Sequence, residues 1–219
     1  KKTVLTSREG YYYASLKEIY FKKDVNLIDP AYKIKTDSLL YNTATQTNRF
    51  IAKTIITDST GRQIETQDGY YRGGKAEFGM RPIVKDGATT VIGDRIAFND
   101  STGTSQAIGN VIVTDTAQGT TLITNQLFRE NKGNRTLATG KPLLIIKQES
   151  DSLFLTADTI FSASITPEPI NQNSKDSIKG EKGKTLVKGT KNIALNKSDS
   201  SLRYIEAFHH VKIYSDSLQ

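Results

Sequence analysis

Residues 107–113 read Ala107-Ile108-Gly109-Asn110-Val111-Ile112-Val113. In a strand, residues two apart point to the same face, so Ala107, Gly109, Val111 and Val113 share one side. The same frame stands at Phe21-Lys22-Lys23-Asp24-Val25-Asn26-Leu27, at Ala52-Lys53-Thr54-Ile55-Ile56, at Ala138-Thr139-Gly140-Lys141-Pro142-Leu143-Leu144 and at Ala207-Phe208-His209-His210-Val211-Lys212-Ile213. A degraded copy is Phe78-Gly79-Met80-Arg81-Pro82-Ile83-Val84. The anchors at 21, 52, 78, 107, 138 and 207 lie 31, 26, 29, 31 and 69 residues apart, the last interval holding an insertion. Recurrence at a near-constant period marks an architecture in which each unit buries its apolar face against its neighbours.

A second element follows the first: an apolar residue, any, a small residue, then Asp, any, apolar, any, aromatic. It is clearest at Ile34-Lys35-Thr36-Asp37-Ser38-Leu39-Leu40-Tyr41, Val91-Ile92-Gly93-Asp94-Arg95-Ile96-Ala97-Phe98 and Leu155-Thr156-Ala157-Asp158-Thr159-Ile160-Phe161. Weaker copies run from Ile64 to Tyr71 and from Leu122 to Phe128, and a last one begins at Ser215-Asp216. Alternation changes parity at the Asp position, as a bulge or sharp bend requires. Each unit therefore reads as a strand, a turn and a strand that folds over. About a dozen such strands at ~4.8 Å spacing stack into a folded sheet roughly 55 Å long, with an apolar interior and an edge strand at each end.

The rest of the chain agrees with an all-β reading. Runs of β-branched or alternating residues at 25–28, 50–57, 88–92, 107–114, 120–124, 143–147, 153–157 and 204–214 are separated by Gly, Asn, Asp, Ser and Thr. The best helical candidate, 14–19, is short and runs into Tyr20-Phe21, so it is read as strand, with a helical turn as the alternative. Residues 164–191 carry Pro, Gly and Lys without a period and read as a long, mobile surface loop inside a single domain spanning 1–219. The repeat breaks off shortly after Ser217, which suggests a natural chain continuing past Gln219. The chain opens at Lys1-Lys2 with neither Met nor an apolar core, as after removal of a signal peptide.

Composition narrows the chemistry. With 219 residues and no Cys, disulfide scaffolds, Cys-ligated zinc, iron–sulfur clusters and thiol catalysis are excluded. No apolar run approaches the roughly 18 residues of a spanning helix. Thirty Lys and Arg against 23 Asp and Glu give a net charge of +7, a surface that attracts anions. His209-His210 reads as an ordinary strand pair, since neighbours on a strand face opposite sides and cannot chelate one ion. A calcium ladder built on Asp37, Asp94, Asp158 and Asp216 is broken by Gln67 and Asn125, and these side chains are expected to accept from backbone N–H groups at the bend. Gly183-Lys184-Thr185 lacks the first glycine of a phosphate loop, because position 178 is Ile. No catalytic residue, cofactor or metal site is nominated, and the chain reads as a non-enzyme. Tyr11-Tyr12-Tyr13 and Tyr70-Tyr71 fit strands as well as base stacking, so nucleic acid is not expected as a partner.

The motifs Gly109-Asn110-Val111-Ile112-Val113, Ala157-Asp158-Thr159-Ile160 and Gly93-Asp94-Arg95-Ile96 resemble those repeated in the lipopolysaccharide-transport family known as LptA or OstA-like. The opening Thr6–Tyr13 stretch with Tyr20-Phe21-Lys22-Lys23-Asp24-Val25 looks like the OstA-like branch of Bacteroidetes-type bacteria. The resemblance covers roughly 11–162 and 202–219. It implies an open β-jellyroll, or "β-taco", in the periplasm that binds lipopolysaccharide through lipid A and carries it toward the outer membrane. It also implies head-to-tail joining, through edge strands, to further copies or to other jellyroll components of the transport bridge. The insertion and the C-terminus depart from a compact family member, so the chain is either the bridge itself or the jellyroll part of a larger component.

On this reading Ile56, Val91, Ile96, Phe98, Val111, Val113, Leu122, Leu127, Leu144, Leu155 and Ile160 line a lipid groove, with Lys and Arg at its mouth for phosphates. The same residues would also serve as a plain core, as in a structural or adhesive β-solenoid of the envelope that carries no lipid.

Overall fold

The turns are written into the sequence by short acceptor side chains. Asn42 Oδ1 accepts from the amides of Ala44 and Thr45, Asp58 Oδ1 from those of Thr60 and Arg62, and Asp115 Oδ1 from those of Ala117 and Gln118. Such local bonds reverse the chain at the cost of one side chain each. Between the turns the chain is strand. A computed structural model describes residues 3–148, 151–165 and 202–215. Most of the polar insertion, and Asp216, lie outside those residues.

Among the described residues, twenty strands form one antiparallel sheet. In chain order they are β1 (Val4–Thr6), β2 (Glu9–Tyr13), β3 (Glu18–Ile28), β4 (Tyr32–Asn42), β5 (Thr47–Phe50), β6 (Thr54–Asp58), β7 (Gln63–Thr66), β8 (Asp68–Arg72), β9 (Lys75–Gly79) and β10 (Ile83–Asp86). They continue as β11 (Thr89–Ile92), β12 (Arg95–Asn99), β13 (Thr104–Asp115), β14 (Thr120–Glu130), β15 (Arg135–Thr139), β16 (Leu143–Lys147), β17 (Ser152–Thr156), β18 (Thr159–Ile165), β19 (Leu202–Phe208) and β20 (Lys212–Ser215). Eight traverses are split at a crease into two strands and four (β3, β4, β13, β14) run through it, twelve traverses in all.

The crease divides the sheet into two wings. Wing 1 pairs in the order β2, β3, β4, β5, β8, β9, β12, β13, β14, β15, β18, β19. Wing 2 pairs in the order β1, β3, β4, β6, β7, β10, β11, β13, β14, β16, β17, β20. Consecutive traverses are thus neighbours throughout, and the sheet never closes on itself. It is an all-β, folded-over stack of antiparallel repeats, the open jellyroll expected from the sequence.

Four details differ from the sequence reading. Residues 14–17 form a tight turn, with Lys17 at φ 54°, and β3 begins at Glu18 rather than at Ala14. The anchor of the second copy is Phe50, which pairs with Leu39 and Gly69, while Ala52 lies in the bend; a large buried ring, not a methyl, holds that place. A further copy of the bent element, Leu5–Ser7–Gly10–Tyr12, opens the chain as β1 and β2. Strand β18 extends through Ile165, so the insertion starts later than position 164.

The crease has two alternating forms. At five of the six passages from wing 1 to wing 2 among the described residues, two successive residues take positive φ: Lys23 and Asp24, Met80 and Arg81, Gly109 and Asn110, Gly140 and Lys141, His209 and His210; the passage from β5 to β6 has none. The two histidines are therefore a corner, not a strand pair, and His210 Nδ1 lies 2.7 Å from Asp158 Oδ2. Where the chain passes back, the small residue bonds carbonyls freed by the bend if it carries a hydroxyl; Gly93 and Ala157, at the same position, carry none. Thr36 Oγ1 donates toward the carbonyls of Ser38 and Lys53, Thr66 Oγ1 toward those of Asp68 and Gly79, and Thr124 Oγ1 toward those of Gln126 and Thr139. The neighbouring Asp side chains have another task than the one expected. Asp94 accepts from Asn110 Nδ2 and pairs with Arg81, so it ties one corner to the next rather than capping backbone amides.

Candidate functional site

Register places the interior side chains in rows that run the length of the stack. The wing 2 row is aliphatic at every step: Leu5, Leu27, Ile34, Ile56, Ile64, Val84, Val91, Val113, Leu122, Leu144, Leu155 and Ile213. Facing it, the wing 1 row is Gly10, Phe21, Leu39, Phe50, Gly69, Phe78, Ile96, Ala107, Leu127, Ala138, Ile160 and Ala207. Nine of the eleven groove residues nominated from sequence stand in these two rows. Val111 lies one step toward the crease and Phe98 one step toward the lip.

All eleven belong to one apolar cluster. Ile56, Ile96, Val111, Leu127, Leu144 and Ile160 are buried, whereas Val91, Phe98, Val113, Leu122 and Leu155 are only partly buried. Burial therefore varies along the wing 2 row itself, where Ile56 and Leu144 are covered and Val91, Val113, Leu122 and Leu155 are not fully so. Among the described residues the V holds three successive cavities. The largest, about 500 Å³, is lined by Val84, Val91, Ile96, Phe98, Ala107 and Leu127 with polar residues at its mouth. It shares Val91, Leu127 and Arg129 with a cavity of about 190 Å³ bounded by Val113, Leu122, Ala138, Leu144 and Ile160. It shares Phe98 and Arg62 with a cavity of about 230 Å³ bounded by Ile34, Phe50, Ile56, Ile64 and Phe78.

The lip row of wing 1 was only half legible from the sequence. Its members are Tyr12, Ile19, Tyr41, Asn48, Tyr71, Ala76 and Phe98, then Ser105, Arg129, Thr136, Ser162 and Ile205. Phe128 and Phe161, the aromatic residues that end two copies of the bent element, are outside: Phe128 pairs with Leu137, and Leu137 with Phe161, on the outer face. The residues that face inward there are Arg129 and Ser162.

Among the described residues, two ring contacts cross the mouth. The Tyr32 ring of wing 2 meets Tyr71 of wing 1 edge-on, centroids 5.2 Å apart. The Arg62 guanidinium, on the turn after β6, lies 5.0 Å from the Phe98 ring centroid, a cation–π distance. Arg62 is also paired with Asp58 at 2.9 Å, although its Nε–H is not aligned on any acceptor. Burial works against the Asp58 carboxylate, but the Thr60 hydroxyl and amide and the Arg62 charge outweigh it and hold its pKa below the usual range. Burial pushes the Tyr32 phenol up to about 12, with the nearby Asp29 charge adding to it.

The mouth is not the basic rim expected from the net charge. Asp58, Asp86 and Asp100 face Arg62 and Arg129 around the largest cavity. Arg129 donates from Nη2 to Asn134 Oδ1 at 3.3 Å, while its buried Nε has no partner. No cluster of three metal-ligating side chains occurs among the described residues.

No protein family and no curated protein matches the chain. Among solved structures it is similar to LptH, described as the LptA-homologous periplasmic component of the conserved lipopolysaccharide transport device from Pseudomonas aeruginosa. That similarity has a TM-score of 0.32 at 11% identity, over 68% of this chain and 96% of that chain. The fold described above rests on the strand register itself.

Proposed function

We propose that the chain is a carrier, not a catalyst, that shields the acyl chains of a lipid in the trough between its wings. The observation that carries this reading is the unbroken aliphatic row of wing 2, which stays partly uncovered at Val91, Val113 and Leu122 beside open cavities. A sheet that needed only a core would bring its wings together over those side chains. Each methylene moved from water onto such a surface gains ~0.8 kcal/mol, so a chain of a dozen carbons is held firmly without any specific pocket.

The cargo we assign is lipopolysaccharide, held by its lipid A acyl chains during passage through the periplasm toward the outer membrane. Support for this finer reading comes from the resemblance carried by Gly109-Asn110-Val111 and by the recurring small-Asp motifs. The outermost strands at both ends of the stack, each with one partner among the described residues, suit continuation into further copies or related jellyrolls. A second reading, a structural β-stack without cargo, draws on the self-packed Phe50 and Phe78 in the first half.

Organic extraction of the protein purified from envelope fractions without detergent, followed by mass spectrometry, separates the two. Co-purified lipid A supports the carrier. Protein with a native β spectrum that neither holds an acyl lipid nor takes up added lipid A contradicts it.

A further inference from the structure

We infer that the trough is partitioned at the Arg62–Phe98 contact, and that an acyl chain occupies only the part beyond Phe98, toward β19 and β20. The inference rests on the carrier reading and adds where along the stack the cargo lies.

One repeat position carries the evidence. The anchors Phe21, Phe50, Phe78, Ala107, Ala138 and Ala207 stand at equivalent places on alternate traverses. The first three are phenylalanine and the last three alanine, so a benzene ring is withdrawn from the interior at each step after Phe78. Before the change, space is taken up. Phe50 and Phe78 are 0% and 1% exposed, and their rings stack with centroids 6.0 Å apart across the strand of Gly69. A Cβ on Gly69 would come within 2.9 Å of Phe78 Cδ1. The mouth over this half is crossed by Tyr32–Tyr71, and the cavity left beneath is the 230 Å³ one.

After Phe98 the lip row turns from aromatic to Ser105, Arg129, Thr136 and Ser162, and no aromatic pair spans the mouth among the described residues. The cavities of 500 and 190 Å³ lie here, in contact along Val91, Leu127 and Arg129. Arg62 reaches from wing 2 onto the Phe98 ring where the two regimes meet, held from behind by Asp58.

The chain has no tryptophan, so single-tryptophan variants report location directly. Phe50→Trp and Leu122→Trp, each checked for a native β spectrum, are titrated with 9,10-dibromostearate, whose bromines quench a ring only at contact. The expected result is saturable quenching at Leu122→Trp and none at Phe50→Trp. Adding Phe98→Ala to Phe50→Trp is expected to bring quenching into the first half. Equal quenching at both sites, or quenching at 50 alone, overturns the partition and leaves the carrier standing. Quenching at neither overturns the carrier reading and this inference with it. A Phe98→Ala double variant that stays unquenched at 50 overturns the assignment of the barrier to that contact.

Discussion

Phe78 and Ala107 flank the same residue: Ile96 pairs with Phe78 on one side and with Ala107 on the other. Two side chains at one repeat position, separated by a single strand, therefore mark where a packed interior becomes a hollow one. Phe78→Ala is expected to destabilise the fold by about 3–5 kcal/mol, the range for emptying a close-packed aromatic site. Phe128→Ala, on the outer face at 44% exposure, should cost less than about 1 kcal/mol. Urea unfolding of the two variants measures the difference, and equal losses would mean that the inward and outward rows are misassigned.

At Thr36, Thr66 and Thr124 the crease is held by hydroxyls. Thr66 is 2% exposed, and its Oγ1 lies 2.7 Å from the Asp68 carbonyl and 3.3 Å from that of Gly79. Thr66→Val keeps the shape but leaves those buried acceptors without that donor, at a cost of about 1–3 kcal/mol. Thr66→Ser keeps the hydroxyl and should recover most of the loss in the same unfolding assay.

Gly109 takes φ +77°, and a Cβ there would collide with the Asp94 carboxylate. The left-handed conformation alone costs an L side chain roughly 1–2 kcal/mol. Gly109→Ala should therefore lower the unfolding midpoint by more than that conformational cost alone. Adding Asp94→Ala, which removes the obstructing carboxylate, should restore part of it. A double variant no more stable than Gly109→Ala alone would contradict the packing account.

The Tyr32–Tyr71 contact carries a pH signature. The Tyr32 phenol titrates near 12 when folded, above its unfolded value near 10, because burial and Asp29 disfavour the phenolate. A raised pKa leaves stability intact below the unfolded value and erodes it as pH climbs toward the folded one. Wild type should thus lose stability between about pH 10 and pH 12, and Tyr32→Phe should lose less over the same interval. Parallel urea titrations, with phenolate absorbance followed in the ultraviolet, check this. Identical pH profiles would show that Tyr32 is not buried as described.

How much of this was readable in advance depends on range. Strand alternation and the parity change at Asp37, Asp94 and Asp158 are local, so the bent traverses and the inward rows followed from spacing alone. Ala52 matches the alanines at 107, 138 and 207 and so resembles an anchor in sequence, whereas the register puts Phe50, four residues before Thr54, in that place. The roles of Thr36, Thr66 and Thr124 were hidden because a hydroxyl's partner is a backbone carbonyl, which leaves no trace in side-chain sequence. Tyr32 with Tyr71, and Arg62 with Phe98, meet across the mouth only after the sheet has folded over, and no periodicity links them. The Phe-to-Ala change was in plain view at the anchors, but it acquires meaning only when those anchors are known to be stacked.

The central claim is that the inner face of wing 2 touches acyl chains, and Leu122 and Ile123 offer the most direct test. They are adjacent on β14, with Leu122 inside, paired with Val113 and Leu144, and Ile123 outside at 40% exposure. A photoactivatable phenylalanine placed at each position in turn, and irradiated with bound lipid A, should give a lipid adduct at 122 and none at 123. Adducts at both positions alike, or at neither while the β spectrum remains native, would contradict the account.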